Sequence, residues 1–251
     1  MLSYRLIPII LIEDGRMVKT TKFKNPKYIG DPINAVRIFN EKLVDEIFLV
    51  DMSVSNINSN PNFNIIENIA SECFMPLSYS GGIKSFDHVK TIFSLGVEKI
   101  SFQSIVFENN DVIKKTINSY GSQSVVVSLD VKKDWFGNYK LFDHLKNKSR
   151  SGNLFEHIKE ISALGVGEII INCVDKDGTL TGPDLNLVNN ISKLVDIPLI
   201  YNGGISSVSD IKNVFNFGVS VLAGAFFVYH GPHRAVLITY PNQSELKMNL
   251  N

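Results

Sequence analysis

Short apolar runs alternate with amphipathic stretches along the whole chain. The runs RLIPIILI, EIFLVD, PLSYS, KISFQ, SVVVSLD, EIIINCV, PLIYN and SVLAGAF read as strands. Between them, stretches such as DPINAVRIFNEKL, SFDHVKTIFSLG and SVSDIKNVFNFG read as helices, and the last two open on a capping serine and close on a glycine. Eight such alternations in 251 residues predict an α/β fold, a (β/α)8 TIM barrel of parallel strands ringed by helices. An open doubly wound sheet is the alternative, but no GxGxxG follows the first strand to support it. Pro8 cannot donate to a sheet ladder and is expected near the start of its strand. HRAVLITYPNQSELKMNLN carries no clear amphipathic pattern, so the eighth outer helix is expected to be short, shifted or replaced by an extended segment.

The chain also repeats itself. Shifted by 203 − 81 = 122 residues, MPLSYSGGIKSFDHVKTIFSLGV lies over IPLIYNGGISSVSDIKNVFNFGV without a gap. At the same shift Glu46 of EIFLVD falls on Glu168 of EIIINC. The expectation is one barrel domain over residues 1–251, made of half-barrels at about 1–121 and 122–240 with an irregular C-terminal tail. The repeat puts the pairs Gly81–Gly82 and Gly203–Gly204 at the ends of the third and seventh strands, each just before a helix. Glycine permits close backbone approach, and a helix N-terminus presents unpaired N–H groups to phosphate. The neighbouring strands end in SFQS, with Gln103 and Ser104, and in LAGAFF, with Gly224 and Ala225. Asp177, Gly178 and Thr179 of the sixth loop adjoin the second pair. Each half thus presents a candidate phosphate site, and two such sites imply an elongated ligand phosphorylated at both ends. Tight turns would account for either glycine pair taken singly.

Composition narrows the function classes. Hydrophobic residues make up 44% and charged residues 20%, as in an ordinary globular enzyme, so a chain of this length buries its core without disulfide staples. The formal net charge of zero argues against charge-driven nucleic-acid binding. Cys73 and Cys173 form no CxxC pair and no cluster with histidine, so neither a disulfide framework nor a metal site is expected, and a reducing cytoplasm fits. The first apolar run lacks a basic leader and a cleavage site and reads as a buried strand, and no run is long enough to span a membrane. MVKTTKFKNPKY holds Lys19, Lys22, Lys24 and Lys27 in what reads as one loop, either simply solvated or an anion clamp.

Taken in order, DGRMVK, GDPINAV, GGIKS, GSQSVVVSLDVK, DKDGTLTG and NGGISS resemble the cyclase subunit of imidazole glycerol phosphate synthase nearly end to end. The resemblance implies a duplicated barrel that needs no cofactor. It also implies a separate glutaminase subunit, docked at the N-terminal face, whose ammonia crosses the barrel to a substrate carrying two phosphates. On the matching positions Asp130 is a catalytic carboxylate, Lys19 a loop lysine near substrate and Asp51 an acid at the end of strand two. Gly82, Gln103 and Ser104 match one phosphate site, and Asp177, Gly178 and Gly204 match parts of the other. Arg5, Glu46, Lys99 and Glu168 match a charged ring at the ammonia entrance.

The two halves disagree at one place. Overlaying IILIEDG on VSLDVKKD sets Leu11 opposite Asp130, where the family keeps its other catalytic aspartate. Two carboxylates can divide acid and base work, worth about 10²–10⁴-fold, and leucine can do neither. Glu13 lies two residues on along the same face, and Asp14 belongs to a loop. Gln103 replaces a customary asparagine, and AGAFF offers no hydroxyl where a serine is common. KFKNPKYIGDPINAVRIFNEK and FFVYHGPHRAVLITYP resemble the cyclase-like proteins associated with glycosyl amidation in surface-polysaccharide assembly. That likeness implies ammonia handed on, with a sugar amidotransferase as a further partner, to form an acetamidino group. A working histidine-pathway cyclase is the alternative, and a scaffold without ligand chemistry is the third.

Overall fold

The inward-facing residues of the strands decide the architecture. In the computed structural model, which describes residues 4–55 and 60–247, eight parallel strands close on themselves. They are β1 (Leu6–Glu13), β2 (Ile47–Asp51), β3 (Leu77–Ser80), β4 (Lys99–Phe102), β5 (Val125–Lys133), β6 (Glu168–Cys173), β7 (Leu199–Asn202) and β8 (Ser220–Ala223). Each pairs with its sequence neighbour, β8 returns to β1, and β5 joins β6 from Val126↔Glu168 to Cys173↔Val131. Pro8 lies opposite Ala223 at the third position of β1, within the ladder.

Alternation along each strand makes two cores. Ile7, Phe48, Val126, Ile170, Ile200 and Leu222 meet inside the barrel. Leu6, Ile10, Leu49, Tyr79, Ile100, Val127, Ile169 and Tyr201 face outward, under the helices. The outer ring comprises α1 (Pro32–Glu41), α2 (Phe63–Glu72), α3 (Phe86–Ser94), α4 (Asp111–Tyr120), α5 (Leu154–Ala163), α6 (Leu185–Ile191) and α7 (Val208–Phe215). Their starts follow local chemistry. Asp31 caps α1 ahead of Pro32, Ser85 caps α3, and Ser207 closes a capping box with Asp210 on α7.

Two helix caps follow the repeat seen in the sequence. Asn62 caps α2 and Asp184 caps α6 through their side chains, one repeat length apart (184 − 62 = 122). The tail is irregular, as the sequence suggests. The helical turn α8 (Ala225–Val228) has only four residues, and an extended segment follows it. Tyr240 of that segment stacks on Phe227 and donates its hydroxyl to Leu6 O, at the start of β1. A short helix, α9 (Gln243–Lys247), ends the described chain.

Phe48 is the largest side chain of the inner core and is almost fully buried. Phe48→Ala is expected to cost about 3–5 kcal/mol. It should lower the urea midpoint without changing the slope of the transition.

Candidate functional site

At the N-terminal end of the barrel, four charges form a closed ring. Arg5 bridges Glu46 and reaches Glu168 at 2.8 Å, while Lys99 reaches Glu46 at 2.9 Å and Glu168 at 3.1 Å. Ser78 Oγ donates to the other oxygen of Glu46 at 2.5 Å. Burial works against the Arg5 guanidinium, but Glu168 and Glu46 outweigh it and raise its pKa. Isolated surface pairs contribute little; here alternating signs meet across the barrel mouth, largely shielded from water. The sequence-predicted ring is therefore assembled in full.

Above the ring the interior is two-sided. One wall is apolar, with Ile7, Ile9 and Leu11 on β1 and Phe48 and Val50 on β2. The opposite wall carries buried hydroxyls. Ser80 Oγ donates to Ser101 O at 3.2 Å, and Ser101 Oγ meets Ser128 Oγ at 2.8 Å, two residues below Asp130 on β5. With Ser78 on Glu46, these serines mark a polar seam leading from the ring toward the upper end.

The strands open at their C-terminal ends into a cavity of about 770 Å³. Its wall includes Leu11, Glu13, Lys19, Asp51, Gly81, Gly82, Gln103, Ser104, Asp130, Asp177, Gly178, Gly224 and Ala225, so most of the residues singled out from sequence converge there. Asp130, only 3% exposed, has both carboxylate oxygens engaged. Oδ1 accepts from Asn172 Nδ2 at 2.9 Å, and Oδ2 accepts from Gln103 Nε2 at 2.6 Å and lies 3.1 Å from His144 Nδ1. Asn202 in turn donates to Asn172. The Gln103 amide thus serves the carboxylate, whereas its sequence position suggested phosphate.

Register confirms that Leu11 and Asp130 are counterparts. Leu11 stands beside Val50 and Asp130 beside Asn172, and these partners are one repeat apart (172 − 50 = 122). Glu13 lines the cavity farther out on the same face of β1. Asp51 accepts from Ser53 N at 3.0 Å, and burial raises its pKa.

The basic stretch is not one loop. Arg16–Thr21 and Lys24–Gly30 form an antiparallel hairpin continuing from β1. Lys22, Lys24 and Lys27 are exposed on it, while Lys19 is buried and donates to Ile9 O. Burial lowers the Lys19 pKa to about 8, against the attraction of Asp177. Asp177 accepts from Thr20 Oγ1 at 2.9 Å and from Phe23 N at 3.2 Å, yet burial raises its pKa.

The glycine pairs answer first to packing. A side chain on Gly81 would meet Asp51 O at 2.6 Å, and one on Gly203 would meet Cys173 O at 2.8 Å; both glycines have positive φ. These are equivalent contacts in the two halves. Gly203 and Gly204 line a recess of about 20 Å³ with Asp177, Gly178, Gly224 and Ala225. The Thr179 hydroxyl instead donates to Lys176 O at 2.8 Å. The helical turns beginning at Ser104 and Ala225 lack a side-chain cap, so each rim offers N–H groups unclaimed by a capping side chain. Among the described residues no cluster of histidine, cysteine, aspartate and glutamate has the makings of a metal site.

Sequence reading missed His144, Asn172 and Asn202. The asparagines were detectable as polar residues inside the apolar runs EIIINCV and PLIYN. His144 carried no signal, because it reaches Asp130 only through the fold of a hairpin.

The profile of the family described as histidine biosynthesis protein matches residues 5–233. A Pseudomonas aeruginosa protein provisionally named imidazole glycerol phosphate synthase subunit hisF2 is 44% identical over 98% of this chain and 99% of its own. A Leptospira borgpetersenii protein provisionally named imidazole glycerol phosphate synthase subunit HisF is 44% identical over 98% of both chains. The imidazole glycerol phosphate synthase subunit HisF of Streptococcus mutans is 34% identical over 81% of both.

The lysine site has a pH signature. Lys19 titrates at about 8 when folded and at about 10.4 when unfolded. Between these values the unfolded state binds more protons, so this group makes stability rise with pH over that window. Lys19→Met is expected to remove that rise, read as the difference between the two proteins' urea midpoints from pH 8 to pH 10.

Proposed function

The chain belongs to the histidine biosynthesis protein family, and on its full-length likeness to HisF subunits we propose that it is the ammonia-accepting barrel subunit of a glutamine-dependent synthase. The carrying observation is the closed charged ring joined by a serine seam to an upper cavity whose β1 wall holds Leu11 opposite Asp130. A glutaminase subunit docks on the N-terminal face. Leu43 and Phe74, 80% and 85% exposed on the loops before β2 and β3, offer it apolar contact beside the ring. Ammonia enters when a ring ion pair opens, passes the inner core along the hydroxyls, and reaches the cavity as the neutral molecule. There it meets a phosphorylated ligand held between the two glycine-pair rims. With one carboxylate of the expected two, the cavity passes nitrogen onward. The acceptor on this reading is a surface-polysaccharide sugar, served through a sugar amidotransferase that forms its acetamidino group. Two free cysteines without a disulfide suit a reducing cytoplasm.

A second reading, the histidine-pathway cyclase itself, is favoured by Asp130 and Lys19 both lining a cavity with two glycine-pair rims, and the relatives' names fit it equally well.

The two readings separate on purified protein supplied with an ammonium salt and the histidine-pathway bisphosphate. The first expects turnover at least about 10²-fold below an ordinary biosynthetic rate of ~1–10³ per second. Leu11→Asp should then raise it by about that factor, since it restores the missing acid. Wild-type turnover within the ordinary range would return the chain to the second reading.

A further inference from the structure

After β5 the chain turns back in an antiparallel hairpin, with Tyr139–Asp143 paired to the end of β5 and Lys148–Ser149 paired beyond it. Several anchors hold it over the cavity. Lys133 bridges Asp184 at 2.8 Å, and Tyr139 donates to the same carboxylate at 2.9 Å. Arg150 bridges the buried Asp143 at 2.7 Å and lies over the Phe107 ring at 4.2 Å. Lys146 N donates to Asp143, shaping the turn that presents His144. The His144 side chain is 29% exposed, lines the cavity and sets Nδ1 at 3.1 Å from Asp130 Oδ2. Its other ring nitrogen lies on the far side of the ring from that carboxylate. On the opposite wall Leu11, the counterpart of Asp130, cannot move a proton, and Glu13 lies farther out on the same face.

We propose that His144 and Asp130 form a coupled acid–base pair, with Nδ1–H donating to Asp130 and Nε2 exchanging protons with the ligand in the cavity. The proposal rests on the reading that nitrogen is transferred there. When neutral ammonia adds to a carbon–heteroatom double bond, its lone pair forms the C–N bond and the π electrons move to the heteroatom. The new nitrogen then carries one proton too many. Neutral Nε2 takes that proton, leaving the N–H bonding pair on nitrogen, and the imidazolium passes it to the heteroatom. Asp130 orients the ring and stabilises its charged form, as a carboxylate does for a base histidine elsewhere. The charged groups around the imidazole are Asp130 on β5 and, on the hairpin, Asp143 and Arg150. Burial and Arg150 disfavour the imidazolium; Asp130 and Asp143 outweigh them, so its pKa is raised.

The test is nitrogen-15 NMR of the imidazoles in the full chain. The neutral His144 ring is expected as the Nδ1–H tautomer, with a titration midpoint above the ordinary value of about 6.5. Asp130→Asn should lower that midpoint by about one pH unit or more. A neutral ring protonated at Nε2, or a midpoint indifferent to Asp130→Asn, would overturn the pair. If that variant does not fold, the wild-type tautomer alone decides. Acylation by diethyl pyrocarbonate checks access to the cavity, with the exposed His230 and His233 as internal references. His144 should be modified with its own titration midpoint, and complete resistance while His230 and His233 react would refute the cavity-facing Nε2. None of these readouts needs turnover. A wrong acceptor therefore leaves them standing, and a wrong tautomer leaves the ammonia reading standing.

Discussion

Closure of the parallel ladder is the constraint on which the rest depends. A strand at an open edge would leave a row of backbone N–H and C=O groups unpaired, and pairing β5 with β6 while β8 returns to β1 removes every edge of the eight-strand cycle. Closure also fixes register. With Glu168 beside Val126 and Asn172 beside Asp130, inward side chains fall into stacked levels. Charged residues collect at the lower mouth, an apolar girdle fills the middle and polar residues gather at the upper end.

Duplication then lets each half be judged by its twin. Tyr201 accepts from Asp184 N at 2.9 Å, while the hydroxyl of its twin Tyr79 is buried and makes no hydrogen bond among the described residues. Asp51 stands where the other half has Cys173, and both carbonyls sit against a glycine of the following strand's loop. Both β1 and β5 run on into a hairpin that covers the cavity, and each hairpin delivers one basic side chain. Lys19 comes from the first and lies on Ile9 O and over Gly224; His144 comes from the second and lies on Asp130. The two halves have kept a common frame and put different chemistry on it.

On the function proposed above, that difference bears on how the cavity would handle nitrogen. Below Glu13, the apolar part of the β1 wall at Ile9 and Leu11 would disfavour ammonium and favour neutral ammonia, because a charge beside hydrocarbon loses its hydration without compensation. The β5 wall does the opposite, with Gln103, Asn172 and His144 converging on a carboxylate kept from water. A cavity with one apolar and one proton-active side suits the capture of a neutral nucleophile followed by proton transfer at a single place.

Much of this was legible in the sequence. Period-two and helical patterns, serine caps and the repeat determined the barrel, the order of its strands and the placing of Leu11 opposite Asp130, because these depend on local periodicity and on a linear comparison of two halves. The ring of Arg5, Glu46, Lys99 and Glu168 was legible only through the family resemblance; the structure places all four at or just before the starts of strands. Only the tertiary structure decided that Lys19 leaves its neighbouring lysines to be buried, that Gln103 turns to Asp130, that Thr179 bonds within its own loop, and that His144 reaches the cavity. Those outcomes depend on how hairpins fold back across the barrel mouth. Their pairing partners lie far away in the chain, so no short stretch of sequence records where the side chains end up.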